Sequence, residues 1–315
     1  MNKLYSKSWH RKALQLKLQG VSNRQIAREL WGVSDGESKL RRFFKREDIQ
    51  AILGEVSTVP KRAKILFWDI ETTPHHSYHF DWWGANINPM IHNIGLGFML
   101  SHAWCWGVDG EIHSSILTPE EILKGDDSRI VLEMHSLFQH ADVIIAHNGK
   151  KFDVKKANAS FAHLGLTPPS PYKVIDTLRI SKKFFSLPSH SLSFLCHYFN
   201  LGVEKVKTDG FELWARCCTG DKEALDLMRK YNIGDIPTLV KLYTFLRPWG
   251  NDGVDISMLS TADGLICPTC GGNHTQPTGA TCITARKVYQ VHKCIECGAQ
   301  SKLIENTKAS YLTKI

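Results

Sequence analysis

The sequence predicts an α/β fold, a mixed β-sheet with flanking helices, placed between a small helical module and a cysteine-rich module. In the middle of the 315-residue chain, short apolar runs alternate with helix-like segments, which is typical of an α/β sheet. The first 50 residues carry helix-capping signals, and the last 50 carry two Cys-x-x-Cys pairs. The predicted domains are residues 1–55, 62–248 and 262–302.

The net charge of +8 is unevenly distributed along the chain. Residues 1–64 carry +9, residues 65–264 carry −5, and residues 265–315 carry +4. An acidic centre between basic ends suits a metal-binding core flanked by modules that hold a polyanion. The alternative is that the basic ends serve solubility alone.

Composition also bounds the cellular setting. No apolar run reaches the roughly 18 to 20 residues of a membrane span, and no secretory signal is recognisable. Nine cysteines are an odd number for a disulfide framework, so a reducing compartment with one metal site is the simpler account. We therefore expect a cytoplasmic protein without a membrane partner.

The N-terminal module predicts three short helices, over residues 9–18, 23–30 and about 37–46. Ser22 is a suitable N-cap for the second helix, and Gln25 completes a capping box. Helix, turn and basic helix are typical of a helix-turn-helix, whose last helix enters the major groove of DNA. A helical cap with a solvated basic face would give the same pattern. The candidate nucleic-acid contacts are Lys39, Arg41, Arg42, Lys45 and Arg46.

A linker over residues 57–64 leads into the central domain. The predicted strands are residues 64–69, 95–99, 103–108 and 143–146, and the predicted helices are residues 128–140 and 222–231. Residues 75–93 are rich in His and Trp and lack periodicity. We expect a long loop that stacks on bases or packs as ordinary surface.

Two acids end the first strand. Asp69 and Glu71 are two residues apart, so both side chains point to one face of the sheet. Thr72-Thr73-Pro74 follows and leaves the acids at an edge. Two uncompensated carboxylates repel each other unless a cation lies between them, and Mg²⁺ prefers such hard oxygen ligands.

A third acid, Asp153, follows the apolar strand 143–146 and the segment His147-Asn148-Gly149. Gly149 permits a sharp bend, which places Asp153 in a first helical turn aimed at the strand edge. Nearby residues are candidates for phosphate contact, and a solvated helix face is the equal alternative for the lysines. These candidates are Asn148, Lys150 and Lys151, with Lys155 and Lys156 close by.

Tyr231 and Asp235 are four residues apart and share one face of a helix. A tyrosine hydroxyl beside a metal-bound carboxylate can orient an attacking water. Pro237 follows two residues later, and proline disfavours helical geometry at the residue before it. The sequence therefore predicts a kink or a restart of the helix near Asp235.

These runs, in this order, resemble the motifs of the DEDD 3′–5′ exonuclease family, in the branch whose last motif carries a tyrosine. They are Phe67-Trp68-Asp69-Ile70-Glu71-Thr72, Asn148-x-x-x-Phe152-Asp153 and Tyr231-x-x-x-Asp235. The resemblance covers roughly residues 62–248 and implies an RNase H-like fold, with a five-stranded mixed sheet. It implies that Tyr231 positions the water and that two Mg²⁺ or Mn²⁺ ions are held by Asp69, Glu71, Asp153 and Asp235. Asp176 stands where relatives often carry a further acid.

This resemblance implies two-metal hydrolysis that releases a 5′-monophosphate, with metals about 3.5 to 4 Å apart. We expect a 3′–5′ exonuclease acting on DNA, most naturally on single-stranded 3′ ends. The chain is too short to hold a polymerase, so proofreading would need a separate DNA polymerase, a layout resembling phage-encoded exonuclease proteins. Two alternatives remain open: an RNA-trimming or structure-specific nuclease on the same fold, and a non-catalytic DNA-binding regulator, which leaves the four acids unexplained.

The cysteine pairs near the C-terminus have the spacing of a zinc ribbon. Each pair is followed by glycine, and four thiolates would form a closed tetrahedral site, which is structural rather than catalytic. Three other residues are possible substitutes as ligands: His274, Cys282 and His292. The predicted zinc ligands are Cys267, Cys270, Cys294 and Cys297.

Overall fold

The structure is a computed structural model, and the chain divides into two compact units, residues 1–61 and 62–315. The residues that it describes are 9–18, 21–32, 36–50, 62–78, 83–84, 87–91, 93–95, 97–203, 206, 208–261, 264–285, 287–305 and 310–314. Most of the predicted linker 57–64, and part of the turn before the third helix, lie outside these residues.

The first unit contains the helices α1 (His10–Leu18), α2 (Asn23–Trp31) and α3 (Glu37–Phe44). The predicted capping box is present, because the Ser22 hydroxyl accepts from the Gln25 backbone N–H while the Gln25 side chain reaches back to Ser22. The apolar faces of the helices form one small core. Its buried members are Ala13, Leu14, Ile26, Ala27, Leu40, Phe43, Phe44 and Ile49.

The second unit is built on a five-stranded sheet. Its strands are β1 (Ile65–Thr72), β4 (Met99–Trp106), β5 (His113–Ile116), β6 (Val143–Ala146) and β7 (Lys173–Asp176). Their order in the sheet is β5-β4-β1-β6-β7. The central strand β1 is antiparallel to β4 and parallel to β6. Helices flank this mixed sheet, so the predicted α/β fold class is confirmed. A separate pair of strands is formed by β2 (His76–Ser77) and β3 (Asn93–Gly95).

Alternate residues of β1 pack into two different cores. Leu66, Trp68 and Ile70 lie in one cluster, and Phe67 lies in the cluster on the opposite face. Asp69 therefore shares the face of Phe67. The helices that cover the sheet are α4 (Pro119–Lys124), α5 (Ser128–His140), α6 (Asp153–His163), α7 (Thr177–Phe184), α8 (Leu192–Tyr198), α9 (Phe211–Cys218) and α10 (Lys222–Leu246).

Two predicted elements differ from the structure. The runs 95–99 and 103–108 are not separate strands, because β4 is continuous from Met99 to Trp106 and pairs with β1 along its length. The restart of the helix expected near Pro237 is also wrong, since α10 continues through this residue as one helix from Lys222 to Leu246. Proline removes a backbone donor and crowds the carbonyl four residues earlier, and packing of the buried side chains before and after it offsets this cost.

The C-terminal part of the second unit forms a four-stranded sheet in the order β11-β10-β9-β8. A short 3-10 helix, Ile256–Leu259, precedes it. Among the described residues, none of the helices is long and apolar enough to cross a membrane. The strands are β8 (Thr275–Ile283), β9 (Val288–Cys294), β10 (Gln300–Glu305) and β11 (Ser310–Lys314).

Candidate active site

Three of the predicted acids meet at the carboxyl end of β1. A carboxylate oxygen from each of Asp69, Glu71 and Asp235 lies within 4.8 Å of the others. Asp69 and Glu71 come from β1, and α10 crosses the sheet and brings Asp235, which is buried, to the same place. Three like charges at this separation favour either a bound cation or proton uptake.

Asp153 lies outside that group of three but interacts with it. It is the first residue of α6 and is 4% exposed, and its carboxylate accepts a hydrogen bond from the Ile70 backbone. Burial raises the pKa of Asp153 to about 7. Burial, followed by the charge of Asp153, also raises the pKa of Asp69 well above its ordinary value. All four acids therefore belong to one electrostatic cluster.

A buried amide fixes one of the acids in place. The side chain of Asn232 is fully buried and donates from Nδ2 to Asp69 Oδ2 at 2.8 Å. Its oxygen accepts a 3.1 Å hydrogen bond from the hydroxyl of Ser101, which pairs with Glu71 across β4 and β1. Asn232 was not anticipated from the sequence. The signal was its position three residues before Asp235, on the same face of the helix.

Tyr231 lies one turn before Asp235 on α10 and is partly buried. Its ring packs edge-on against Trp214 of α9, with 5.8 Å between ring centroids. This contact packs the ring against α9. Its proposed role, orientation of a water, stays a prediction.

The turn that carries the second motif depends on Asp176, which caps the start of α7. Asn148 has a positive φ of 67°, and a Cβ added at Gly149 would lie 2.5 Å from Ala146 Cβ. Asp176 accepts from the backbone N–H of Asn148 at 2.9 Å and of Lys150 at 3.2 Å. The carboxylate of Asp176 thus holds the turn together, and this use differs from that of a metal ligand.

Asp252 supports the same turn and was not anticipated from the sequence. Its carboxylate forms ion pairs with Lys150 at 2.6 Å and Arg179 at 3.0 Å, and it accepts from the Asp176 backbone N–H at 3.3 Å. Of the predicted phosphate contacts, Lys150 is therefore paired with an acid, while Lys151 is exposed.

An apolar cleft of about 570 Å³ adjoins the acids. It begins at Thr72, directly after Glu71, and includes Phe152, directly before Asp153. Phe211 is 70% exposed at its wall. The remaining lining residues are Thr73, Pro74, His75, Lys156, Thr208, Gly210 and Trp214. An open aromatic wall beside a carboxylate cluster suits a flat ring carried on a phosphate chain.

The basic residues predicted on the third helix of the first unit lie at its surface. Arg41 pairs with Glu37 at 2.9 Å, and the guanidinium of Arg46 contacts the Asp48 carboxylate. The other three are exposed: Lys39, Arg42 and Lys45. The exposed positive charge is therefore smaller than the count of basic residues suggests.

The four cysteines of the C-terminal module form a group that could hold a metal ion. The sulfurs of Cys267 and Cys297 are 3.7 Å apart, and those of Cys270 and Cys294 are 3.6 Å apart. The backbone N–H of Thr269 donates to the Cys267 sulfur. Hydrogen bonds to this sulfur from neighbouring thiols and from backbone N–H groups lower the pKa of Cys267, which favours the thiolate. The possible substitutes His274, Cys282 and His292 are not members of this group among the described residues.

Comparison with known proteins agrees with the fold. Residues 103–247 match the RNase_H superfamily, and the sheet with its helices is RNase H-like. The matched segment contains Asp153, Tyr231 and Asp235, and begins after Asp69 and Glu71. No curated protein matches the sequence.

Among solved structures, the chain is similar to the family B DNA polymerase from the hyperthermophilic archaeon Pyrobaculum calidifontis. The TM-score is 0.45 and the sequence identity is 17%, over 60% of this chain. The chain spans 25% of the length of that polymerase.

Proposed function

We propose that the protein is a metal-dependent 3′–5′ exonuclease that hydrolyses phosphodiester bonds at DNA 3′ ends. The observation that carries the proposal is the convergence of Asp69, Glu71 and Asp235 within 4.8 Å, electrostatically coupled to Asp153. The RNase H-like fold supports a nuclease in general. The 3′–5′ direction and the preference for DNA rest on the motif resemblance.

The donor set fits divalent cations. Its members are hard carboxylate oxygens, and each unneutralised charge raises the pKa of Asp69, so a cation would relieve repulsion that the fold itself creates. Asp69, Glu71, Asp153 and Asp235 would hold two Mg²⁺ or Mn²⁺ ions. Such a pair would activate a water and stabilise the attacking and leaving oxygens of an in-line displacement.

The protein's own residues would do the positioning. Asn232 holds Asp69 Oδ2 in one orientation, which keeps the first acid preorganised. The phenol of Tyr231, one turn from Asp235, would orient the attacking water. Its ring packs edge-on against Trp214, a contact that would favour one orientation of the phenol.

The aromatic cleft supports a single-stranded end as the substrate. A base can lie against Phe152 or Phe211 only when it is unstacked from its neighbours, which is easiest at a free single-stranded terminus. Lys156, at the edge of the same cleft, would contact a phosphate. The half-buried Asn148 and the exposed Lys151 would extend the contact along the strand.

The terminal modules would hold the substrate. The first unit would act as a helix-turn-helix-like DNA module that uses Lys39, Arg42 and Lys45 most directly, because these are exposed. The exonuclease would serve proofreading, repair or recombination, and in proofreading would work with a separate DNA polymerase.

The cysteine module would be a structural zinc ribbon. A tetrahedron with zinc–sulfur bonds of about 2.3 Å has edges of about 3.8 Å. The two sulfur–sulfur distances of 3.6 and 3.7 Å fit that edge. Four thiolates fill the tetrahedron, which leaves no open position for substrate.

The test is hydrolysis of labelled single strands of DNA and RNA, blocked at either end, with Mg²⁺ or Mn²⁺. We expect 5′-monophosphates to be released from free DNA 3′ ends, and blocking the 3′ end to stop the reaction. Asp69→Ala should abolish hydrolysis without loss of folding or DNA binding. Asp226→Ala, an exposed acid on the same helix as Asp235, is the matched control and should be fully active.

Three results would decide against parts of the proposal. Full activity of Asp69→Ala would remove the acidic cluster as the catalytic site. Faster hydrolysis of RNA than of DNA would assign the fold to RNA trimming. DNA binding without any hydrolysis under either metal would favour the non-catalytic regulator.

A further inference from the structure

A second cavity, of about 800 Å³, lies at the opposite end of β1 from the acids. It is bounded by Ile65 at the start of β1 and by Cys270 and Glu296 of the cysteine module. None of the four acids lines it, and the lining residue of β1 nearest to them is Phe67, two residues from Asp69, which corresponds to about 7 Å along a strand. The cavity is therefore separate from the carboxylate cluster.

The charge of this cavity is positive. Arg62, Lys64 and Arg247 line it, against the single acid Glu296. That acid is itself engaged, because Glu296 Oε1 lies 3.2 Å from His274 Nδ1. The unbalanced cations favour an anionic ligand.

The guanidinium of Arg247 has a buried hydrogen-bond donor that is unsatisfied among the described residues. Its Nε is buried and forms no hydrogen bond within the described part of the chain. One terminal nitrogen makes a long contact, 3.5 Å, with the Glu296 carbonyl. A buried guanidinium donor without a partner is costly, and an anion beside it would remove that cost.

The rest of the cavity wall is apolar. Trp106, Val108 and Leu137 line it, and Val108 is 40% exposed. The volume falls within the range of about 300 to 1,000 Å³ that is typical of small-ligand sites. A phosphate among the cations would leave an attached flat ring against Trp106.

We infer that this cavity binds a nucleotide, with its phosphate on Arg247, Arg62 and Lys64 and its base against the apolar wall. The nucleotide is either free or the end of a strand, because both present a phosphate attached to a base. The inference does not depend on the proposed hydrolysis, since none of the four acids takes part.

The test is photolabelling of the full-length Asp69→Asn protein with 8-azido-dAMP in magnesium-free buffer. No chelator is used, because Cys270 of the metal-binding group lines the cavity. We expect saturable labelling of a peptide that contains Trp106 or Leu137. We expect competition by dAMP in one arm or by a 5′-phosphorylated DNA strand in another, and the competitor that acts at the lower concentration identifies the source.

Variants locate the site. Arg247→Met should weaken labelling about tenfold or more, as expected for loss of a charge-assisted hydrogen bond. Arg62→Met changes an exposed rim residue and should weaken labelling without affecting folding. Lys222→Met, at the other end of the same helix as Arg247, removes the same charge and should leave labelling unchanged.

Three outcomes would overturn the inference. They are labelling confined to peptides of the carboxylate cluster, unchanged labelling in both arginine variants, and competition by inorganic phosphate equal to that by dAMP. Failure here leaves the hydrolysis assay unaffected, because that assay depends on the other end of β1.

Discussion

The side-chain amide of Asn232 donates a 2.8 Å hydrogen bond to Oδ2 of Asp69, and the hydroxyl of Ser101 fixes that amide from the other side. The three residues come from α10, β1 and β4. Asn232 and Asp235 lie three residues apart on one helix, so the helix that supplies one acid also orients another. The single helix α10 thus carries Asp235 itself and orients Asp69 of β1 through the hydrogen bond from Asn232.

Loss of the Asn232 amide should lower activity more strongly than it lowers the stability of the fold. We expect Asn232→Leu to lower kcat roughly 10- to 100-fold and to raise the Mg²⁺ concentration for half-maximal rate, because Asp69 can rotate away from the cluster. Ser101→Ala keeps Asn232 but frees its orientation, so its effect should be smaller. Rates measured across a Mg²⁺ titration would test this. An Mg²⁺ requirement that is identical in both variants and the parent protein would leave Asn232 with a packing role only.

The acidic cluster should cost stability when no metal is present. Asp69→Asn removes one of several like charges, so we expect the metal-free variant to unfold roughly 2 to 8 °C above the parent protein, or roughly 1 to 2 kcal/mol. Mg²⁺ should stabilise the parent protein and have little effect on the variant. Thermal unfolding with and without Mg²⁺ measures both effects. A lower melting temperature for the metal-free variant would indicate that Asp69 stabilises the fold.

The sequence pointed to the candidate acids because their signal is local. Asp69 and Glu71 follow a buried apolar strand and share a face by strand alternation, which needs no knowledge of the rest of the chain. Local patterns also predicted the helix over residues 128–140 and the strand over residues 143–146, and both were confirmed. The Ser22 capping box was confirmed for the same reason, since all its atoms lie within four residues.

The missed features are contacts between distant segments. Asp252 lies 102 residues after Lys150 in the chain, and nothing near it indicates that it will support the turn of the second motif. Pro237 misled in the opposite direction, because a local rule predicted a break that packing on both sides of the proline overcomes. Local rules therefore indicated the candidate acids, and contacts between distant segments supplied the residues that position them.

His147 should make the protein sensitive to acid. Burial lowers the pKa of His147 to about 4, and the neutral ring hydrogen-bonds the Thr177 hydroxyl at 2.9 Å and the His190 carbonyl at 3.0 Å. Because its unfolded pKa is higher, about 6.5, the unfolded chain takes up the extra proton. The stability that the neutral His147 ring contributes is complete above about pH 6.5 and is lost as the pH falls towards 4.

The measurement is urea unfolding across this pH range. We expect the parent protein to lose up to about 3 kcal/mol more than His147→Gln between pH 6.5 and 4. His163→Gln, at an exposed position, should lose as much as the parent. Parallel pH profiles for the parent protein and His147→Gln would contradict the assignment.

The aromatic cleft should control binding of the strand end. Phe211 is 70% exposed at its wall, so Phe211→Ala should leave folding nearly unchanged. Stacking contributes about 1 to 3 kcal/mol per base, so we expect the KM for single-stranded DNA to rise roughly 5- to 100-fold with little change in kcat. Phe184→Ala alters a partly exposed ring outside this cleft and is the control. Equal KM values for the two variants would exclude the cleft from substrate binding.

Loss of the proposed zinc from the cysteine module should affect the candidate active site through one short chain of contacts. Asn251 donates to the Thr269 carbonyl in the module at 3.2 Å and accepts from the buried Tyr243 hydroxyl at 2.9 Å. The next residue, Asp252, pairs with Lys150 in the turn of the second motif. Disorder in the module should therefore loosen that turn, as well as the module itself.

We expect Cys294→Ser to lose its zinc and to hydrolyse strand ends several-fold more slowly, because metal binding contributes directly to the folding of such modules. Cys282→Ser is the matched control, since Cys282 lies on β8 outside the four-sulfur group. It should keep one zinc per chain and the parent rate. Elemental analysis and the strand-end assay give the two readouts. One zinc per chain in Cys294→Ser would contradict the four-thiolate site, whereas zinc loss at an unchanged rate would show that the chain of contacts through Asn251 does not reach the acids.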